Sequence, residues 1–240
     1  MLVETSLVDG VYRITLNRPQ DHNALNTDLL NELSKILVKL DKDARIVVFE
    51  GNGLSFCSGA DLKEILEMSS RDLKHYSILG KKICAQIEAI KVPTIAVLHG
   101  STTGEGIELA LCCDLRVASD KTILEFPQVK LGYPPGFGGT KKLPQVIGRA
   151  RALEVLLTSA SFDAKTAHLL GLVNQVVPHK SLEKSVDSLI ALLMKHELYV
   201  NTSVKFLVHN NDLVKETSHF SEQAASPETK LRIKERLGER

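Results

Sequence analysis

Apolar and polar residues alternate over residues 11–16, and a similar run over 2–8 is joined to it through Asp9-Gly10, so the chain is expected to open with a pair of strands. Thr27 and Asp28 then begin a segment in which Leu30, Leu33, Ile36, Leu37 and Leu40 recur at helical spacing, an amphipathic helix with an N-cap. Residues 45–50 form a mostly apolar strand ended by Gly51-Asn52-Gly53, and the order strand, helix, strand implies a right-handed crossover. Ser70 caps a second long helix with Tyr76, Leu79, Ile83, Ile87 and Ile90 on one face, closed by Pro93. Residues 94–98 read as a buried strand, 99–106 as a turn, 107–113 as a short helix and 114–118 as another strand. From Ile147 onward the pattern is helical over 150–158, 163–169 and 181–195, with only 172–177 extended. The recurrence predicts an α/β layered core through roughly the first 150 residues, with no solenoid period and no low-complexity linker.

Composition narrows the function classes. The chain has 240 residues, 43% hydrophobic and 25% charged, as expected of a folded protein with a single sizeable core. Thirty basic against 29 acidic residues leave a net charge of +1, which gives no overall bias toward nucleic acid or a membrane surface. Cys57, Cys84, Cys112 and Cys113 lack both the spacing of a zinc site and the framework of a small secreted domain. Residues 1–10 carry Glu4 and Asp9 and show no signal-peptide pattern, so a cytoplasmic location is expected. The longest apolar runs are too short to span a bilayer.

Two glycine-marked turns carry candidate chemistry. In Phe56-Cys57-Ser58-Gly59-Ala60-Asp61-Leu62, a strand feeds small residues into a helix that starts near Asp61, leaving N–H groups around Gly59 and Ala60 to point at an anion or a polarised oxygen. An ordinary helix entry is the alternative. The second, residues 100–108, again follows a buried strand and opens a helix. It lacks the Lys-Ser/Thr pair of a phosphate loop, and Leu109 stands where a dinucleotide fingerprint needs its third glycine.

Glu108 is the most informative residue, because its neighbours over several positions are apolar or glycine. Desolvation there raises a carboxyl pKa toward neutrality and suits a general acid or base. A buried ion pair, for instance with Arg116, is the alternative reading. A third segment, residues 126–140, is dense in glycine and proline, with Gly136, Gly138 and Gly139 suited to close packing where a helix begins near Thr140. His22, His75 and His99 have no partners at metal-ligand spacing, and Ser58 and Ser101 lack the Gly-x-Ser-x-Gly elbow of an α/β-hydrolase.

Together these segments resemble the crotonase superfamily, the enoyl-CoA hydratase and isomerase family. The resemblance runs from residues 11–19 through Asn23-Ala24-Leu25, the Phe56–Asp61 turn and the Gly104–Asp114 turn and helix to Gly171-Leu172-Val173. It implies an α/β spiral of ββα units with a C-terminal helical region, divided as a core over 1–190 and helices over 191–240 that pack a homotrimer or homohexamer. It further implies an acyl-CoA thioester as substrate, coenzyme A being part of that substrate with no separate cofactor or metal, and no nucleic-acid or membrane partner. The thioester oxygen would lie between the N–H groups of Ala60 and Glu105, donors worth roughly 3 to 4 kcal/mol each in related oxyanion sites. Ser58, Gly59, Asp61, Leu62, Gly104, Pro135 and Gly136 would line the substrate.

The family's hydratases use two glutamates on one water; the first matches Glu108 and the second falls on Gln128. An amide orients water but does not take and return its proton at neutral pH. Glu105 stands where the family usually has glycine, a position where a left-handed backbone would strain a side chain and a nearby charge would oppose an enolate. Glu125, Lys63, Arg18 and the basic stretch 230–236 are further charged groups to place. The leading expectation is hydration or dehydration of an enoyl-CoA with Glu108 as sole proton carrier and Gln128 orienting water. Decarboxylation, isomerisation, or acyl-CoA binding without turnover are the alternatives.

Overall fold

In a computed structural model of the chain, residues 1–238 are described. Contacts divide it into two compact units, Met1–Ala191 and a second beginning at Leu192.

The first unit is built on a six-stranded sheet. β1 (Val3–Val8) and β2 (Val11–Leu16) pair antiparallel around Asp9-Gly10. β3 (Ile46–Gly51), β4 (Thr94–Leu98), β6 (Leu115–Ser119) and β9 (Gln175–Val177) then add in parallel, in the order β1-β2-β3-β4-β6-β9. β4 is buried throughout its length, which is why Ile95 to Leu98 read as a continuous apolar run after Thr94. A smaller sheet, β5 (Ser101–Thr103), β7 (Ile123–Glu125) and β8 (Phe162–Asp163), lies in the order β5-β7-β8.

Helices connect these strands: α1 (Thr27–Val38), α2 (Leu62–Glu67), α3 (Ser70–Glu88), α4 (Glu105–Ala110), α5 (Gly139–Ile147), α6 (Arg149–Thr158) and α7 (Ala164–Leu169), and α8 (Leu182–Met194) follows the last strand. Buried Leu29, Leu30 and Leu33 of α1 pack with α3, whose Ile83 and Ile87 are equally buried. In the second unit, α9 (Leu198–Asn210), α10 (Leu213–Ala224) and α11 (Pro227–Leu237) follow one another, α10 touching both neighbours.

Local chemistry shifts several expected boundaries. Asn26, not Thr27, caps α1, its side chain accepting from Leu29 N–H, and Ser69 rather than Ser70 caps α3 through a capping box with Asp72. The last extended stretch shortens to Gln175–Val177 because the amides of Leu172 and Val173 close back on the Ala167 carbonyl at the end of α7. β5 lies inside the stretch expected to be only a turn, too short and too polar for a period of two to register.

Successive chain passes stack in parallel next to the main sheet. Leu25 bridges Ala60, Cys57 bridges Thr102, and Thr102 pairs with Leu124. This stacking brings the two glycine-marked turns and the segment after β7 into one place, although they are tens of residues apart in sequence.

Candidate active site

The first turn is locked from behind by Arg18. Its guanidinium donates to the Ala24 carbonyl (2.6 Å), Asp21 (2.8 Å) and Asp61 (3.0 Å), and the residue is only 8% exposed. Arg18 therefore anchors the turn. Asp61 also caps α2, accepting from the N–H groups of Lys63 and Glu64. Gly59 takes φ of 91°, and a Cβ there would lie 2.9 Å from the Thr103 carbonyl, so the position demands glycine.

The second turn changes the expected picture of free donors. Gly104 absorbs the positive φ (51°), so Glu105 begins α4 without left-handed strain. The Glu105 side chain turns back into the protein, and its Oε2 accepts the Ala60 N–H at 3.0 Å. Its own N–H and the Gln128 amide also stabilise the carboxylate, while burial pushes its pKa up. The amide of Ala60, expected to point at a ligand, thus points at Glu105.

Glu108 lies one helical turn further along α4 and is completely buried. Its Oε1 accepts from Phe137 N–H at 2.9 Å and Gly139 N–H at 2.6 Å, and its Oε2 faces Gln128 Nε2 at 3.4 Å. Burial, reinforced by the Glu105 charge, raises the Glu108 carboxyl to about 7 against the pull of the Gly139, Phe137 and Gly136 amides. Arg116 is not its partner: that guanidinium donates to the carbonyls of Leu172, Cys113 and Ala110. Gln128 is 1% exposed and leaves Oε1 without a protein partner. Turning the amide over would set that oxygen against a carboxylate, so the orientation is determined by charge.

Ala60, Glu105, Glu108 and Gln128 therefore form one cluster, with Gly104 packed against Gln128, since a Cβ on Gly104 would lie 3.2 Å from Nε2. Ser58 faces the same turn, its carbonyl accepting from Thr103 Oγ1 at 2.7 Å. Gly136 borders it, receiving the Ser77 hydroxyl on its carbonyl. Leu62 is half exposed at the start of α2, and Pro135 instead lines a cleft of about 440 Å³ with Val129, Pro144, Leu153 and Leu156. Glu125 pairs outward with Lys130 at 2.8 Å. Sequence reasoning missed the Phe137 and Gly139 amides that hold Glu108; the glycine density of the segment was their only signal. It also missed Tyr133, whose phenol is pushed up to about 12 by burial and the two carboxylates. Among the described residues no group of His, Cys, Asp or Glu is arranged to hold a metal ion, and no helix is long and apolar enough to cross a membrane.

A family model described as Enoyl-CoA hydratase/isomerase matches residues 7–232, a span that includes every residue of the cluster. The chain belongs to the enoyl-CoA hydratase/isomerase family. As a member it is an enzyme of the hydratase/isomerase type. It is 36% identical over 192 residues to a crotonyl-CoA hydratase of Syntrophomonas wolfei, covering 78% of this chain and 74% of that one. An enoyl-CoA hydratase from Bacillus anthracis superposes with a TM-score of 0.90 at 30% identity, over 95% of this chain and 92% of that one. A Thermobifida fusca chain solved in complex with CoA superposes at 0.84 and 29% identity, over 94% and 95%. The mixed α/β core with its C-terminal helices is thus the crotonase fold.

Proposed function

We propose that the protein hydrates and dehydrates an enoyl-CoA thioester, with Glu108 moving the proton. The observation that carries this reading is the Glu108 carboxyl, buried, gripped by two backbone amides and raised to about 7, where a group both accepts and returns a proton at physiological pH. In the forward direction a water oxygen bonds to the β-carbon as Glu108 takes its proton. The electron pair of the double bond moves onto the thioester as an enolate, and Glu108 returns the proton to the α-carbon. The N–H groups of Ala60 and Glu105 serve the enolate oxygen. Gln128 Oε1, buried and unpartnered, accepts the second hydrogen of the water.

The acyl-CoA class is supported by the names of the relatives and by the CoA complex of the Thermobifida fusca chain. The chemistry asks for no resident cofactor. Assembly as a homotrimer or homohexamer through the C-terminal helices is part of the proposal, supported by the exposed Val208, Val214 and Phe220 of that unit. The four cysteines, all buried and none in a disulfide, support a cytoplasmic location. Separate incubations with crotonyl-CoA and with a malonyl-type CoA ester, followed by chromatography and mass spectrometry, test the reaction. Gain of one water, abolished by Glu108→Gln, is expected; loss of CO2 from a malonyl-type ester, or double-bond migration without hydration, would replace hydration with another reaction.

A further inference from the structure

We infer that the Glu105 carboxylate is a built-in occupant of the thioester-oxygen site, a tethered anion that the substrate carbonyl must displace before it reaches the two backbone donors. The inference rests on the acyl-CoA reading of the site. Three observations carry it. Glu105 Oε2 accepts the Ala60 N–H at 3.0 Å, good geometry for a charge-assisted hydrogen bond. The carboxylate is also stabilised by the N–H of Glu105 itself, the second amide assigned to the substrate oxygen. It is also pressed against the turn: a Cβ on Gly59 would lie 3.2 Å from Oε2, and Glu105 is only 4% exposed.

A ligand oxygen placed between the same amides collides with Oε2, so binding is an exchange of one acceptor for another. A neutral thioester carbonyl is a weaker acceptor than a carboxylate, and a carboxylate already tethered loses little freedom on binding. Glu105 thereby sets which ligands enter. Those that present only a weak carbonyl acceptor are handicapped, while the remainder of the CoA moiety, which does not use these amides, is unaffected. Glu108 stays in place when the side chain leaves, since it is held by the Phe137 and Gly139 amides.

Binding of butyryl-CoA, which carries the carbonyl but has no double bond to hydrate, is compared with that of CoA alone by titration calorimetry on the full chain. Wild type, Glu105→Gly, Glu105→Ala and the isosteric Glu105→Gln are used. Removing a charged acceptor from the amides is expected to tighten butyryl-CoA by about tenfold or more in the glycine and alanine variants. The glutamine variant, whose amide oxygen still accepts from Ala60, should gain less, by about threefold. The affinity for CoA should stay the same in all four. Retained CoA binding with butyryl-CoA affinity unchanged or weaker in all three variants would overturn the inference alone. Failure of every protein to bind either ligand would overturn the acyl-CoA reading, and the inference with it.

Discussion

The Gly139 amide donates to Glu108 Oε1 across 2.6 Å, and that contact ties the glycine-rich segment after β7 to the carboxyl of α4. A Cβ on Gly139 would fall 3.0 Å from Oε1 and Cγ of Glu108. Gly139→Ala is therefore expected to push the carboxyl off its amides and lower kcat by about tenfold or more, given how steeply catalysis depends on placement. Steady-state hydration of crotonyl-CoA, with CoA affinity measured alongside, checks it; a fall in CoA affinity with kcat preserved would contradict this role.

Glu108→Gln keeps the shape of the side chain and removes the proton carrier. Loss of general acid–base catalysis is worth about 10²- to 10⁴-fold, so kcat should drop by at least about 10²-fold. Activity within threefold of wild type would remove Glu108 from the mechanism.

The raised Glu108 carboxyl also makes stability depend on pH. The native state holds a proton that the unfolded chain, with a carboxyl near 4.5, releases. The native state binds more protons between about 4.5 and about 7, so stability falls as pH rises through that window and levels off above it. The full effect is up to about 3 kcal/mol. Glu105 shifts in the same direction, so the contribution of Glu108 is isolated by comparison with Glu108→Gln. Urea unfolding at pH 5 and pH 8 should show the variant gaining on wild type at the higher pH; a constant difference between them would refute the shift.

Gln128→Glu would place a third buried carboxyl against Glu105 and Glu108. Like charges there should cost about 1–3 kcal/mol at pH 8. Combined with Glu105→Gly, the number of buried carboxyls returns to two, and most of that loss should be recovered. A double-mutant cycle by urea unfolding reads the coupling, and strictly additive effects would show that the residues do not share one electrostatic cluster.

Arg18→Ala leaves the Ala24 carbonyl and the Asp61 carboxylate without their buried donor. Destabilisation of about 2–4 kcal/mol is expected, with slackening of the Gly59-Ala60 turn. A shift below about 0.5 kcal/mol in urea unfolding would show that Asp61's cap on α2 holds the turn alone.

Much of this protein is determined locally. Strand β4 is legible because four consecutive apolar residues, Ile95 to Leu98, follow Thr94 in a stretch buried throughout, and α1 because Leu30, Leu33 and Leu37 fall on one face at helical spacing. The chemical promise of Glu108 is legible for the same reason: a carboxyl alone among apolar neighbours is a local signal. Caps and ends are less so, since Asn26 and Ser69 compete with adjacent Thr27 and Ser70 that offer similar hydrogen bonds. Only the tertiary structure decides where the Glu105 side chain goes. Its partner Ala60 is 45 residues away, and the two meet because the bridges Leu25–Ala60 and Cys57–Thr102 stack the chain passes in register. That register is set by packing summed over the whole core, which no window of neighbouring residues contains. For that reason a turn whose Ala60 amide looks like an open donor in the sequence becomes, in the fold, one already holding the Glu105 carboxylate.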